Sequence, residues 1–200
     1  ARFVVLAAVD AVRHGAEMLT RTRCVSARRQ GDIWRAVLDA GAGRRDVAAR
    51  SLVNAAGPWV EQVIRQVAGA NAPAHARLVK GSHIVVPRVH AGEHAYILQN
   101  ADKRIVFVIP YQDYYSLIGT TDVIYGDDPA KVAISQEEID YLCKAASEYF
   151  TKQIGPQDVV SSYSGIRPLF DDGKSEAKAA TRDYVLKLDT DNNTTPLLSI

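Results

Sequence analysis

Short strand-forming runs, closely separated by turn residues, dominate the sequence once its first helix has ended. Such runs bury their apolar residues only by pairing with one another, so they favour sheets as the framework of the fold. The predicted strands are Met18–Thr22, Cys24–Arg28, Ile33–Leu38, Asp46–Val53, Leu78–Val86, Ala95–Leu98, Ile105–Pro110, Tyr114–Gly119, Val159–Ile166, Tyr184–Leu188 and Leu197–Ile200. The spacing of the four runs between residues 78 and 119 predicts an antiparallel sheet.

Three helices accompany these strands. Apolar residues recur at helical spacing over residues 2–14, and Gly15 follows as a stop signal. A second helix begins in its first turn with Pro58 and runs to about Val67, after a strand and a glycine turn. Ser135 with Glu138 forms a capping box that starts a third helix. The fold class is therefore α/β (α+β), with a domain boundary in the loop at 69–77.

The composition excludes some classes of partner. Of the 200 residues, 47% are apolar and 24% are charged, which suits a globular core, and no apolar run reaches the length of a membrane span. The net charge of +1 supplies no field that would draw nucleic acid, so any anionic ligand must be held by a few placed residues. The cysteines, Cys24 and Cys143, are expected to be reduced. No initiator Met is present and the chain ends in a predicted strand, so we expect a piece of a longer protein.

Common catalytic motifs are missing. The histidines and cysteines lack the spacings of a metal site, so no metal is predicted. No G-x-S-x-G elbow, P-loop or G-x-G-x-x-G loop occurs. The chemistry must therefore come from less common arrangements of residues.

One such arrangement is the turn from Asn54 to Trp59, which reads NAAGPW. Its small residues let the backbone approach a ligand closely, and the N-terminus of the next helix favours an anion such as a pyrophosphate. An ordinary strand-to-helix turn is an equally good interpretation at this point.

A second arrangement surrounds His83, which follows Lys80, Gly81 and Ser82 within a predicted strand. A histidine between apolar strand residues is more often part of the core. Because imidazole titrates near neutrality, His83 is also a candidate to take a proton from a hydroxyl.

The third arrangement places Arg167 at the end of a predicted strand, directly before a proline. A guanidinium fixed there offers several donors to a phosphate or carboxylate, although an ion pair with Asp171 or Asp172 is the alternative. Thr120, at another strand end, is either a hydroxyl donor to the same ligand or part of a capped turn.

These arrangements lie in motifs that occur together in one order: NAAGPWV, KGSHIVVPR, IGTTD, YSGIRPL and TRDY. In this combination the sequence resembles the membrane-associated, FAD-dependent glycerol-3-phosphate dehydrogenase family, most of all its bacterial aerobic members. The resemblance implies part of a Rossmann-like FAD domain at residues 1–70 and an antiparallel-sheet substrate domain with helices on one side at 71–188. Residues 189–200 would return to the FAD domain as a strand.

The resemblance also implies roles for particular residues. Arg167 would clamp the substrate phosphate, Arg182 and Thr120 would line the same pocket, and His83 would be the candidate base. In the cofactor site, Val25 would contact the adenine of FAD, and Ala56 and Gly57 would approach its ribose and pyrophosphate, with Trp59 close by.

The implied reaction is the oxidation of sn-glycerol 3-phosphate to dihydroxyacetone phosphate by hydride transfer to FAD, with electrons passed on to ubiquinone. The implied location is cytoplasmic, peripheral on the inner face of the cell membrane, and the resemblance leaves a homodimer open. Two alternatives stand beside it: a glycerol-3-phosphate oxidase that uses oxygen, and a stand-alone anion-binding module. The glycine-rich FAD loops that the resemblance places at both ends are missing, so we expect this chain alone to be inactive and to bind no FAD.

Overall fold

The computed structural model describes residues 2–69, 76–170, 183–190 and 195–200. The helices are α1 (Arg2–Arg13), α2 (Val60–Gln62) and α3 (Gln136–Ser147). The strands are β1 (Arg23–Gln30), β2 (Ile33–Asp39), β3 (Arg44–Ala49), β4 (Leu52–Asn54), β5 (Ala76–Pro87), β6 (Tyr96–Gln99), β7 (Ile105–Tyr111), β8 (Tyr115–Gly119), β9 (Val123–Ile124), β10 (Ser161–Phe170), β11 (Lys187–Asp189) and β12 (Leu197–Ser199). Three 3-10 turns (Gly57–Trp59, Pro129–Lys131 and Pro156–Asp158) and a π-helical segment (Val63–Ala68) complete the elements.

The chain forms two compact units. The first contains Ala1–Asn54, Gln62–Ala72 and Leu186–Ser199, and the second contains Ala55–Glu61, Pro73–Val185 and Ile200. The assignment of FAD and substrate roles to residues 1–70, 71–188 and 189–200 stays a prediction.

The first unit has two three-stranded sheets. Strands β1, β2 and β3 form an antiparallel meander, and β12 lies between β11 and β4, parallel to β4. The side chain of Trp34 on β2 is buried, lies under the guanidinium of Arg29 at 4.7 Å, and donates from Nε1 to the carbonyl oxygen of Pro196 at 3.0 Å. This indole therefore links the meander to the residue that leads into β12.

The second unit is built on a six-stranded antiparallel sheet in the order β10-β5-β8-β7-β6, with the short β9 also paired to β5. Because side chains alternate along a strand, every second residue faces α3. The core between sheet and helix includes Ile84, Val86, Leu98, Val106, Val108, Ile118 and Leu142. The intervening residues Ile105, Phe107 and Ile109 of β7 are exposed on the opposite face. We call this opposite face the open face of the sheet.

The predicted mixed fold, an antiparallel sheet with a helix on one side, is confirmed. The predicted capping box is also present, because Ser135 Oγ accepts from the Glu138 N–H at 3.3 Å while Glu138 Oε2 accepts from the Ser135 N–H at 2.9 Å. In the described part of the chain no helix combines the length and the apolar character of a membrane span.

Several predicted element boundaries were wrong. Met18–Thr22 is not a strand, since Arg21 adopts a left-handed backbone conformation that extended chain does not allow. The single strand predicted at Asp46–Val53 is two strands, β3 and β4, which belong to different sheets. The strand predicted from Tyr184 begins only at Lys187, and β9 was not predicted.

Candidate functional site

Three of the predicted substrate residues come together on the open face of the six-stranded sheet. His83 and Gly81 occupy alternate positions of β5 and so share one face, and Tyr163 and Gly165 of β10 lie directly opposite them. Gly119, at the end of β8, is the cross-strand partner of His83, and Thr120 follows it. The pairing of β10, β5 and β8 thus fixes the positions of Arg167, His83 and Thr120 relative to one another.

Arg167 is held by the segment that follows β8. Its Nη1 donates to Asp122 Oδ1 at 2.6 Å and, more weakly, to the carbonyl oxygen of Thr121 at 3.5 Å, while Nη2 donates to Thr120 Oγ1 at 2.8 Å. These bonds use three of the five N–H donors of the guanidinium. The ion pair is half-buried, with the side chains of Arg167 and Asp122 35% and 29% exposed. The predicted alternative partners, at 171 and 172, lie outside the described residues.

The guanidinium lies across β5 because residue 81 has no side chain. A Cβ built at Gly81 would stand 2.5 Å from Arg167 Nη2 and 2.7 Å from Thr120 Oγ1, closer than carbon packs against either atom. The backbone angles at Gly81 are not of the left-handed kind, so its glycine is needed for space. Gly81 therefore sets the position of the guanidinium and of the Thr120 hydroxyl that accepts from it.

The imidazole of His83 lies in a similar way over Gly119. A Cβ at Gly119 would stand 2.2 Å from His83 Cδ2. On its other side the ring stacks on Tyr163 with a centroid distance of 4.9 Å and an angle of 7° between the planes. Nδ1 of His83 is buried and has no hydrogen-bond partner among the described residues. The ring is thus fixed by packing and keeps an unused hydrogen-bonding atom.

The electrostatics of the site keep this imidazole neutral. Burial lowers the pKa of His83 below its ordinary value of 6.5, and the nearby positive charge of Arg167 lowers that pKa further. Burial also raises the pKa of the Tyr163 phenol, so the stacked ring carries no charge near neutrality. A neutral imidazole beside a fixed guanidinium can accept a proton from a hydroxyl of a bound anion.

The predicted cofactor residues occupy two places in the chain. Ala56, Gly57 and Trp59 form the turn after β4, where Gly57 has a φ of +54° and open space at the position of a Cβ. Val25 lies in β1 at the point where the register with β2 shifts. It therefore forms a bulge in the pairing of β1 with β2. Arg182 lies outside the described residues, and its predicted role stays a prediction.

Residues 1–187 match the family described as FAD dependent oxidoreductase. The chain belongs to this family. It is 51% identical over its whole length to a glycerol-3-phosphate dehydrogenase of Pseudomonas aeruginosa and 48% identical to a D-erythritol 1-phosphate dehydrogenase of Brucella abortus. It covers 39% and 40% of the lengths of these two relatives.

A solved structure shares the fold of this chain. The glycerol-3-phosphate dehydrogenase of Bacillus halodurans, complexed with FAD, matches with a TM-score of 0.78 at 27% identity, over 96% of this chain and 36% of that one. The resemblance stated from the motifs is confirmed at the level of the family, and so is FAD as the family's cofactor.

The residues present fit part of an FAD site. At Gly57 the backbone is open, because the space that a side chain would fill is empty, and a pyrophosphate or ribose can approach it directly. The register shift at Val25 takes this residue out of the one-to-one pairing of β1 with β2. Ala56 and Gly57 would therefore meet the cofactor through main-chain atoms, and the predicted contact of Val25 stays a prediction.

Sequence reasoning missed three members of the site. Asp122, the ion-pair partner of Arg167, was seen only as part of a turn motif, and Tyr163 only as part of the motif around Arg167. The third missed residue is Gly81. The alternation of side chains along β5 could have revealed it, because this alternation puts residues 81 and 83 on one face.

The space at Gly81 yields a prediction with a matched control. We expect inorganic phosphate to raise the Tm of the full-length protein, and we expect Gly81→Ala to displace the guanidinium and abolish that rise. Gly165→Ala is the control, because Gly165 pairs with Gly81 yet a Cβ there meets nothing within 4 Å. Calorimetry with and without phosphate measures both. Equal phosphate responses in the two variants would rule out Gly81 as the residue that sets the anion site.

Proposed function

We propose that the full-length protein oxidises sn-glycerol 3-phosphate to dihydroxyacetone phosphate with FAD as the hydride acceptor, and that this chain carries most of the substrate site. The observation that carries the proposal is the Arg167 guanidinium, held by Asp122 and Thr120, beside a neutral imidazole on one face of one sheet. The name of the Pseudomonas aeruginosa relative supports this substrate, and family membership favours a redox role over a stand-alone anion-binding module.

Arg167 serves as the phosphate-binding residue, and Thr120 lines the same pocket with a hydroxyl that accepts from Arg167 Nη2 and donates to the Thr121 carbonyl oxygen. Some N–H donors of the guanidinium are not used by its contacts with Asp122 and Thr120, and these donors can bind the phosphate. The planar guanidinium also matches the spacing of two phosphate oxygens. Asp122 holds one edge of the fork and so limits its rotation. Arg182 is proposed as a second cation for the same phosphate.

His83 serves as the base for the substrate's secondary hydroxyl. Oxidation removes a hydride from C2 and a proton from its oxygen, and His83 takes that proton on a ring nitrogen. Bound FAD supplies the two-electron acceptor for the hydride. Stacking on Tyr163 keeps the imidazole plane parallel to the phenol ring and prevents it from turning away from the hydroxyl.

A four-carbon substrate, D-erythritol 1-phosphate, is the second candidate. It is favoured by the 48% identity to the Brucella abortus relative of that name, almost as high as the identity to the first relative. Both substrates carry a phosphate and a secondary hydroxyl, so the described residues suit either of them. Comparison of kcat/KM for the two, on one enzyme preparation, decides between them.

We further propose ubiquinone as the electron acceptor, with the enzyme in the cytoplasm and peripheral on the inner face of the cell membrane. Dimerisation stays open. We expect the purified full-length protein to reduce a soluble ubiquinone analogue during glycerol 3-phosphate oxidation and to release little hydrogen peroxide in air. Stoichiometric peroxide without quinone reduction would make it an oxidase.

The charge of Arg167 yields a quantitative prediction. Arg167→Ala should lower kcat/KM for glycerol 3-phosphate by at least about 100-fold, or about 3 kcal/mol of transition-state stabilisation, because a charged hydrogen-bonding partner is lost. Unphosphorylated glycerol should be affected much less. Arg104→Ala is the control, since Arg104 lies over the ring of Tyr141 and pairs with Asp102 away from the site. Dye-linked oxidation rates measure the effect, and an unchanged kcat/KM removes Arg167 from the site.

The lowered pKa of His83 yields a pH prediction. Since burial and Arg167 hold that pKa below 6.5, the imidazole stays neutral at neutral pH, and kcat/KM should fall only as the pH drops through the lowered value. Arg167→Ala removes a positive neighbour, so the pKa should rise and the acid limb should move to higher pH.

Profiles from about pH 5 to 9 for wild type and Arg167→Ala measure this shift. His83→Gln should lose the limb altogether while it keeps the phosphate-dependent rise in Tm. The assignment of the base fails if His83→Gln retains the same acid limb as wild type.

A further inference from the structure

A buried carboxylate lies on the other face of β5, beneath the Arg167 site. Glu138, in the first turn of α3, is 6% exposed. Its Oε1 accepts from Ser82 Oγ at 2.9 Å and from Thr121 Oγ1 at 2.7 Å, and its Oε2 lies 2.7 Å from Lys80 Nζ. Together with the Ser135 N–H already described, four donors from three separate segments converge on one carboxylate.

Glu138 is charged in this position. Burial alone would raise the pKa of Glu138, but hydrogen bonds from Lys80, Thr121, Ser135 and Ser82 outweigh burial and hold that pKa below its ordinary value. Lys80 Nζ also donates to the carbonyl oxygen of Ala133 at 3.1 Å. The charges of Glu138 and Lys80 therefore offset each other. The Glu138 carboxylate is a fixed point for the side chains that donate to it.

Thr121 is the link from this anchor to the site. It is 1% exposed, and its hydroxyl accepts from the Ser82 N–H at 2.9 Å while it donates to Glu138. Both the donor and an acceptor of the hydroxyl are therefore in use, which fixes its rotation. The residues on either side, Thr120 and Asp122, are the two whose side chains hold Arg167.

We propose that Thr121, anchored by Glu138, is a positioning residue that aims the Arg167 guanidinium at the substrate phosphate. This inference rests on the proposed function. Thr121 touches no substrate itself, because it is buried on the side of the sheet that faces α3. Its hydroxyl holds the backbone from Thr120 to Asp122 in one conformation. The Thr120 hydroxyl and the Asp122 carboxylate can then bind the guanidinium at the same time.

Loss of the Thr121 hydroxyl releases this segment. The Ser82 N–H then lacks its acceptor and Glu138 lacks one donor, so the segment relaxes and Arg167 loses both partners together. Ser164 offers a matched comparison within the same network. Its Oγ bonds to Ser82 Oγ at 2.8 Å across the β10–β5 pair, but it has no bond to the segment from Thr120 to Asp122.

The experiment compares Thr121→Val, Thr121→Ser and Ser164→Ala in the full-length, FAD-loaded enzyme. Thr121→Val keeps the shape and removes the hydroxyl, and it should raise KM for glycerol 3-phosphate about tenfold while kcat changes less than about threefold. It should also lose the rise in Tm on addition of inorganic phosphate. Thr121→Ser keeps the hydroxyl and should restore KM and the phosphate response to within about twofold of wild type.

Ser164→Ala should lower Tm but leave KM and the phosphate response within about twofold of wild type. The inference is overturned if Thr121→Val and Ser164→Ala change KM alike, or if Thr121→Ser fails to restore it. If Thr121→Val does not fold, Glu138→Gln replaces it, since it keeps the volume and should shift KM in the same direction; an unchanged KM in that variant also overturns the inference.

The same measurements separate this inference from the proposed function. A wild-type enzyme that responds to phosphate but oxidises no phosphorylated polyol contradicts the proposed reaction only. The role of Thr121 is then read from the phosphate-dependent Tm, where Thr121→Val must differ from Ser164→Ala.

Discussion

The missing side chain at Gly81 allows the guanidinium of Arg167 to lie across β5. Gly119 does the same for the imidazole of His83, so two glycines on neighbouring strands make room for two functional side chains. Side chains at these positions would force both groups out of the places that they occupy on the sheet. Because the strands that carry them are paired in register, the separation of guanidinium and imidazole is set by the sheet, which is more rigid than a loop.

The ion pair with Asp122 determines how Arg167 can bind an anion. The Arg167–Asp122 pair as a whole carries little net charge, so its attraction for a distant phosphate is weak. Its contribution is directional: the remaining donors of the fork point one way, and a phosphate oxygen that meets them gains charge-assisted hydrogen bonds. A dianionic phosphate therefore needs a further cation, which is the physical reason to keep Arg182 as a candidate.

Part of this arrangement was predictable from local sequence. The capping box at Ser135 and Glu138 depends on residues three apart, so this box and the start of α3 were predicted. The contacts that define the site join residues far apart in the chain: Arg167 with Asp122, and Ser82 with Ser164. No local pattern encodes such pairs. The failed strand at Asp46–Val53 has the same origin, because membership of two different sheets is decided by partners elsewhere.

Glu138 shows how a residue with a clear local role can have a second one. A capping box needs only a side-chain oxygen that reaches the N-cap, which an exposed glutamate also supplies. Here the carboxylate is also buried against Lys80, Ser82 and Thr121, at a desolvation cost that an apolar side chain would avoid. The desolvation cost has a structural return, because these polar contacts hold the segment from Thr120 to Asp122 in one conformation. An apolar residue at 138 would leave the buried Lys80 ammonium without its carboxylate, and it would leave the segment that holds Arg167 free to adopt several conformations.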